Sequence, residues 1–263
     1  YLPPFKKAVE EGVATIMTSY NTIDGVPCTS NKYLLTDVLR DQWGFKGFVY
    51  SDLTSIEGIV GARVAKDNKE AAVLALKAGL DMDLGGNAYG KNLQKALEEG
   101  AITMDDLNRA VANVLRLKFR MGLFENPYVS PEQAKQLVRS KAHKELAREV
   151  AREGIVLLKN EGVLPLKKNI GSIAVIGPNA DMMYNQLGDY TAPQEREEIV
   201  TVLDGIRKAV SPSTKVNYVK GCAIRDITTS NIPAAVEAAR AADAVVLVVG
   251  GSSARDFKTK YIG

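Results

Sequence analysis

Three short apolar runs in the first half of the chain end on polar side chains that could do chemistry. Ser19, Tyr20 and Asn21 close a run over residues 14–19, Ser51 and Asp52 close a run over 48–52, and Asp81 and Asp83 sit within a run over 80–84. A carboxylate emerging from a stretch as apolar as Gly47-Phe48-Val49-Tyr50 costs desolvation unless something pairs with it. Asp52 can therefore act there as a nucleophile or proton-transfer group, or it can cap the helix that follows, as strand-to-helix aspartates often do. The residue types leave both roles open.

Counts narrow the alternatives. The chain has one histidine, His143, so a multi-histidine metal site is excluded and a Ser/His/Asp triad would rest on that residue alone. His143 lies among Lys141, Lys144 and Glu145 and reads as part of a polar helix face. Cys28 and Cys222 are far apart, without C-x-x-C spacing, and read as small buried hydrophobes. Lys plus Arg at 34 against Asp plus Glu at 31 leaves +3, too balanced for a face that tracks phosphates, so nucleic acid is not an expected partner. No apolar run approaches the roughly 18 residues of a membrane span. Gly177 follows an apolar run, but Pro178 and the lack of G-x-G-x-x-G argue against dinucleotide binding. The Gly250-Gly251-Ser252-Ser253 stretch could cradle an anion, but reads better as a loop leaving a sheet edge toward the active site, with Arg255 and Asp256 as a solvated charge pair.

These side chains need a scaffold, and 263 residues give a prior of about two domains at roughly 150 residues each. With 46% apolar and 25% charged residues, the composition is that of a globular protein able to bury a core. In the first half, apolar runs alternate with amphipathic helices predicted over 31–43, 68–77 and 103–122, the signature of βα units around a parallel sheet. Thr103 and Asp106 form a capping box that starts the third of these helices. Residues 126–133 read as a linker, followed by a charged helix to about Arg152 and two short extended pieces around Glu161-Gly162. A second pattern then runs strand 173–177, helix 202–210, strand 215–219, helix 232–242 and strand 244–250, which suits an open doubly wound sheet.

The stretch over residues 17–58, from Met17-Thr18-Ser19-Tyr20-Asn21 to Ser51-Asp52-Leu53, resembles the core of a family 3 glycoside hydrolase, the β-glucosidase-like family. The likeness continues through AGLDMDLGG, VLRLKFRMGLFENPY and REGIVLLKNEGVLPL into IAVIGPNAD, and so covers almost the whole chain in family order. It implies an α/β fold: the C-terminal part of a (β/α)8-type barrel over 1–125, a linker and connector over 126–171, and the N-terminal part of an α/β sandwich domain over 172–263. It also implies that Asp52, the Asp of G-F-x-x-S-D, is the catalytic nucleophile. Tyr20 matches a tyrosine beside the nucleophile, whose hydroxyl would orient the carboxylate and whose ring would pack on the sugar. Met17 matches an apolar wall of the pocket. Tyr20 and Met17 could also be ordinary barrel filling. Where many relatives carry Trp after the nucleophile, this chain has Leu53, which leaves the aglycone side open.

Retaining glycosidases use two carboxyls about 5 to 5.5 Å apart. The resemblance puts the second, a Glu, beyond residue 263, and a sugar-gripping Lys-His pair and Arg before Tyr1. The chain, which starts at Tyr1 without a signal-peptide pattern, is accordingly read as an excerpt of a longer protein, inactive when expressed alone. The expected activity is that of a retaining, exo-acting β-glucosidase on oligosaccharides or glycosides, using no metal and no organic cofactor. The same motif would serve a β-xylosidase or an N-acetylglucosaminidase, and a carbohydrate-binding piece without turnover is the alternative from another class. A periplasmic or secreted location follows from family habit only.

Overall fold

Prolines in the first turn of α1 (Leu2–Glu10) fix the backbone where no intrahelical donor is lost. The computed structural model describes residues 1–188, 190–224, 229 and 231–252. They fall into two units, Tyr1–Ala147 and Arg148–Gly263.

In the first unit β1 (Thr15–Met17) pairs in parallel with β4 (Phe48–Tyr50), Ile16 lying opposite Val49. Between them come a hairpin, β2 (Thr22–Ile23) and β3 (Val26–Pro27), and a helix over Tyr33–Gln42. The run over 80–84 adds a third parallel element, reduced to one bridge between Tyr50 and Met82. Its backbone nevertheless engages β4 on both sides: Asp81 N–H donates to the Val49 carbonyl, and Ser51 N–H donates to that of Met82, each at 2.9 Å. Three consecutive parallel elements in spatial order are what a stretch of barrel wall requires.

The remaining elements of this unit are α2 (Glu57–Gly61), α3 (Asn68–Ala78), α4 (Gly90–Glu98), α5 (Met104–Arg120) and α6 (Pro131–Leu137), and α7 (Lys141–Gly154) runs across the division at residue 147. Asp67 caps α3 by accepting the Glu70 N–H, and the Thr103/Asp106 capping box starts α5 as the sequence predicts. One core joins Leu35, Leu39, Val49, Ile56, Ile59 and Leu80 between wall and helices; a second gathers Leu76, Leu93, Ala96, Ile102 and Ala110.

Four expectations shift. The helix predicted over 31–43 is a π-helix, with Trp43 N–H donating to the Val38 carbonyl five residues back. Its apolar positions Leu34, Leu35, Val38 and Leu39 are too few to distinguish this wide turn from the ordinary one. The predicted strand over 14–19 contracts to three residues because its end turns into the loop bearing Ser19 and Tyr20. The linker over 126–133 ends where Ser130 accepts the Gln133 N–H and Pro131 begins α6. Residues 155–166 form no strand: the Asn160 side chain closes a loop instead, accepting the Leu164 N–H and donating to its carbonyl.

The second unit is built on β5 (Ser172–Ile176), flanked in parallel by β6 (Lys215–Val219) and β7 (Ala244–Leu247). Its helices are α8 (Met183–Leu187), α9 (Val202–Ala209) and α10 (Ile232–Arg240). Ile173 and Val175 pack with Leu203 of α9, whereas Ala174 and Ile176 pack with Ala235 and Ala238 of α10. Alternation along β5 thus buries both faces under different helices, which makes the sheet doubly wound. Among the described residues no helix is long and apolar enough to cross a membrane.

At the end of β5, a Cβ on Gly177 would lie 2.0 Å from the Val248 carbonyl oxygen, and its φ is +128°. Gly177→Ala should therefore destabilise the second unit by about 1–3 kcal/mol or more, seen as lost hydrogen-exchange protection in β5 and β7. Unchanged protection would contradict this close approach.

Candidate active site

The C-terminal ends of the parallel elements carry Thr18 to Asn21 after β1, Ser51 and Asp52 after β4, and Asp83 after the Met82 bridge. The register sets Met17 opposite Tyr50, two residues before Asp52. Met17 and Tyr20 are exposed, and Asp52 is half-buried. One carboxylate oxygen of Asp52 accepts the Leu53 N–H at 2.7 Å, and its carbonyl accepts the Ser55 N–H at 3.1 Å. The turn between them holds Thr54 at φ 56°, a left-handed conformation unfavourable for a β-branched residue.

Side chains from the β1 side hold this turn. The Tyr20 hydroxyl donates to the Leu53 carbonyl at 2.7 Å. This bond directs the Tyr20 hydroxyl at the backbone of the turn that bears Asp52. Thr18, Thr29 and Ser55, each at most 4% exposed, form a chain of hydroxyls with both links at 3.1 Å.

On the other side, Ser51 is fully buried, accepts the Leu84 N–H at 2.8 Å and donates to Asp83 at 3.4 Å. The other oxygen of Asp83 accepts the N–H groups of Ala88 and Tyr89, and Glu57 accepts that of Asn87 at 3.0 Å. Two carboxylates thus shape the loop over 84–89. Leu53 is 53% exposed and rests on Gly85, where a Cβ would come within 2.3 Å of it. The Tyr89 hydroxyl donates to the Leu80 carbonyl at 2.9 Å, and burial pushes its phenol well above the usual range. Sequence reasoning missed Thr29, Ser55 and Glu57.

Asp81 faces away from this opening. Its fully buried carboxylate accepts from Arg40 at 2.5 Å, the Val49 N–H at 2.9 Å and Asn113 at 3.0 Å, with Arg109 at 3.8 Å. Burial raises its pKa; Arg40, the Val49 N–H, Asn113 and Arg109 oppose that rise. Its work is structural.

Met17 also lines a mainly apolar groove of about 470 Å³ with Phe5, Leu35 and Trp43, in which Asp52 takes no part. His143 is exposed on α7, and both cysteines are free, Cys28 buried and Cys222 partly so. In the second unit, Asn185 donates to Asn179 and accepts from Ser252, which links the ends of β5 and β7. Ser253, Arg255 and Asp256 lie outside the described residues.

A parallel wall with polar side chains gathered at the C-terminal ends of its elements is the arrangement of part of a βα barrel. Residues 1–117 match the glycosyl hydrolase family 3 N terminal domain, and residues 155–259 match the glycosyl hydrolase family 3 C-terminal domain. The chain belongs to this family. It is 39% identical to a periplasmic β-glucosidase of Salmonella typhimurium, over 96% of this chain and 36% of that protein. It is equally 39% identical to a β-xylosidase of Formosa agariphila, over 96% and 37%. Among solved structures, a β-glucosidase involved in saponin metabolism from intestinal bacteria superposes with a TM-score of 0.81 at 35% identity, over 96% of this chain and 38% of that one. The chain thus spans a little over a third of the length of these relatives.

Proposed function

We propose that the protein is a retaining, exo-acting β-glycosidase of the β-glucosidase type, in which Asp52 is the nucleophile. The observation that carries this reading is the placement of Asp52. It stands at a strand end, half-buried, its side chain engaged among the described residues only by the neighbouring Leu53 N–H. A carboxylate serving as a cap or a structural ion pair would be bound as Asp81 and Asp83 are. In the reaction an Asp52 oxygen bonds to the anomeric carbon as the bond to the leaving oxygen breaks, and a second carboxyl gives that oxygen a proton. The same group then takes a proton from the water that attacks the anomeric carbon and releases the sugar from Asp52. Tyr20 fixes the turn bearing the nucleophile, and Met17 contributes apolar wall. A location outside the cytoplasm is part of this reading, supported by the periplasmic relative.

The equal identity to a β-xylosidase keeps that sugar as the second reading. Aryl β-glucoside, β-xyloside and N-acetyl-β-glucosaminide assayed with the complete protein should give the highest kcat/KM on the glucoside. A preference for the acetylated sugar would overturn the choice of substrate. Sugar binding without turnover would favour a carbohydrate-binding role.

A further inference from the structure

We propose that Thr29 is a positioning residue for Asp52, acting through the hydroxyl chain that ties the loop after β1 to the turn after β4. The inference rests on the reading of Asp52 as the nucleophile. The side chain of Asp52 is bonded to its own neighbour, Leu53, so the direction of its carboxylate is set by the turn over residues 52–55. That turn holds Thr54 at φ 56°, and such a conformation persists only where surrounding contacts over-determine it. Two side-chain contacts reach it from the β1 side: Tyr20 on the Leu53 carbonyl and Thr29 on the Ser55 hydroxyl.

Of these, Thr29 is the buried one. It is 1% exposed and Thr18 and Ser55 are 4% exposed, so a partner deleted there leaves a buried hydroxyl unsatisfied at the cost of its desolvation. Thr29 has one hydrogen to give, and the Ser55 hydroxyl at 3.1 Å is nearer than the Ser19 carbonyl at 3.5 Å, so the direction runs from Thr18 to Thr29 and from Thr29 to Ser55. Thr18 is itself anchored to β4, its N–H donating to the Tyr50 carbonyl at 2.9 Å. The chain therefore closes a loop from β4 through Thr18 and Thr29 back to the turn that leaves β4. Thr29→Val keeps the shape of the side chain and deletes the middle link.

The test uses the complete protein and counts active sites with a 2-deoxy-2-fluoro aryl glycoside, which releases one aryl group per working nucleophile. For Thr29→Val we expect kcat per titrated site to fall about 10- to 100-fold, the range that small misplacements of reacting groups produce, with KM within about threefold. Thr29→Ser should recover most of the loss. A purely structural role would lower the melting temperature or the number of titratable sites and leave kcat per site unchanged, and that result would overturn the inference. If Thr29→Val yields no titratable sites, Ser55→Ala cuts the same link from the other end and decides by the same criterion. Failure of the nucleophile reading is separable: it would appear as near-normal turnover in Asp52→Asn, whatever Thr29 does.

Discussion

Asp52→Asn in the complete protein should lower turnover by about 10⁴-fold or more, or roughly 5.4 kcal/mol of transition-state stabilisation. The amide keeps the size of the carboxylate and an oxygen for the Leu53 N–H, so the turn over residues 52–55 and the fold survive. What it lacks is the charged oxygen that, in the proposed mechanism, would bond to the anomeric carbon and stabilise the oxocarbenium-like centre. Substrate binding should change far less than rate. In the unsubstituted protein, a 2-fluoro glycoside that slows both steps should leave its sugar on this residue. Cleavage after Lys46 and Arg63 yields a peptide over residues 47–63 that also contains Glu57. Fragmentation must therefore assign the added mass to Asp52. Mass on Glu57, Asp81 or Asp83, or near-normal turnover of Asp52→Asn, would overturn the assignment.

Asp52 stands out as a candidate in the sequence because an ionisable residue ending an apolar run has few structural excuses, and the resemblance favours a nucleophile over a helix cap. The doubly wound unit was legible for a related reason. Ile173, Ala174, Val175 and Ile176 are consecutive apolar residues, a run that makes sense when both faces of a strand are covered. The supports of the site left no such trace. Thr29 and Ser55 are 26 residues apart, and hydroxyls in loops follow no period. The β2/β3 hairpin did carry a local signal, Asp24-Gly25, with both residues at positive φ. It was masked because its two-residue strands are too short to show alternation. Asp81 and Asp83 look equivalent in Leu80-Asp81-Met82-Asp83, and on a regular strand residues two apart would share a face; here the ladder is a single bridge at Met82, and Asp81 pairs with Arg40 while Asp83 turns to Ser51 and the loop over 84–89.

That difference between the two aspartates sets the second large expectation, which concerns stability. Arg40 is 16% exposed and Asp81 fully buried. The guanidinium also donates to the Gly47 carbonyl at 3.1 Å and the Gly79 carbonyl at 3.4 Å, and lies 5.6 Å from the centre of the Phe45 ring. Arg40→Met fills similar space but leaves the carboxylate without its main counter-charge. Breaking a buried pair from one side costs about 3–5 kcal/mol. Its pH dependence has a definite sign. Burial already holds the Asp81 carboxyl above the ordinary range, Arg40 is the largest influence opposing that rise, and its removal lifts the value further. A carboxyl that holds its proton more tightly folded than unfolded loses stability as pH rises through the interval between the two values. The deficit of Arg40→Met should therefore be smallest in acid, where Asp81 is protonated in both proteins, and grow as pH rises through the interval between the folded-state value of the unsubstituted protein, already above the ordinary range, and the still higher value of the variant. Urea unfolding followed by hydrogen exchange in peptides covering β4 reads this directly. A deficit that is constant or shrinks with rising pH would refute the account. Adding Asp81→Asn should flatten the dependence, because the amide has no charge to bury. Since Asp81 accepts the Val49 N–H, three residues before Asp52, the same loss should loosen the strand that presents Asp52.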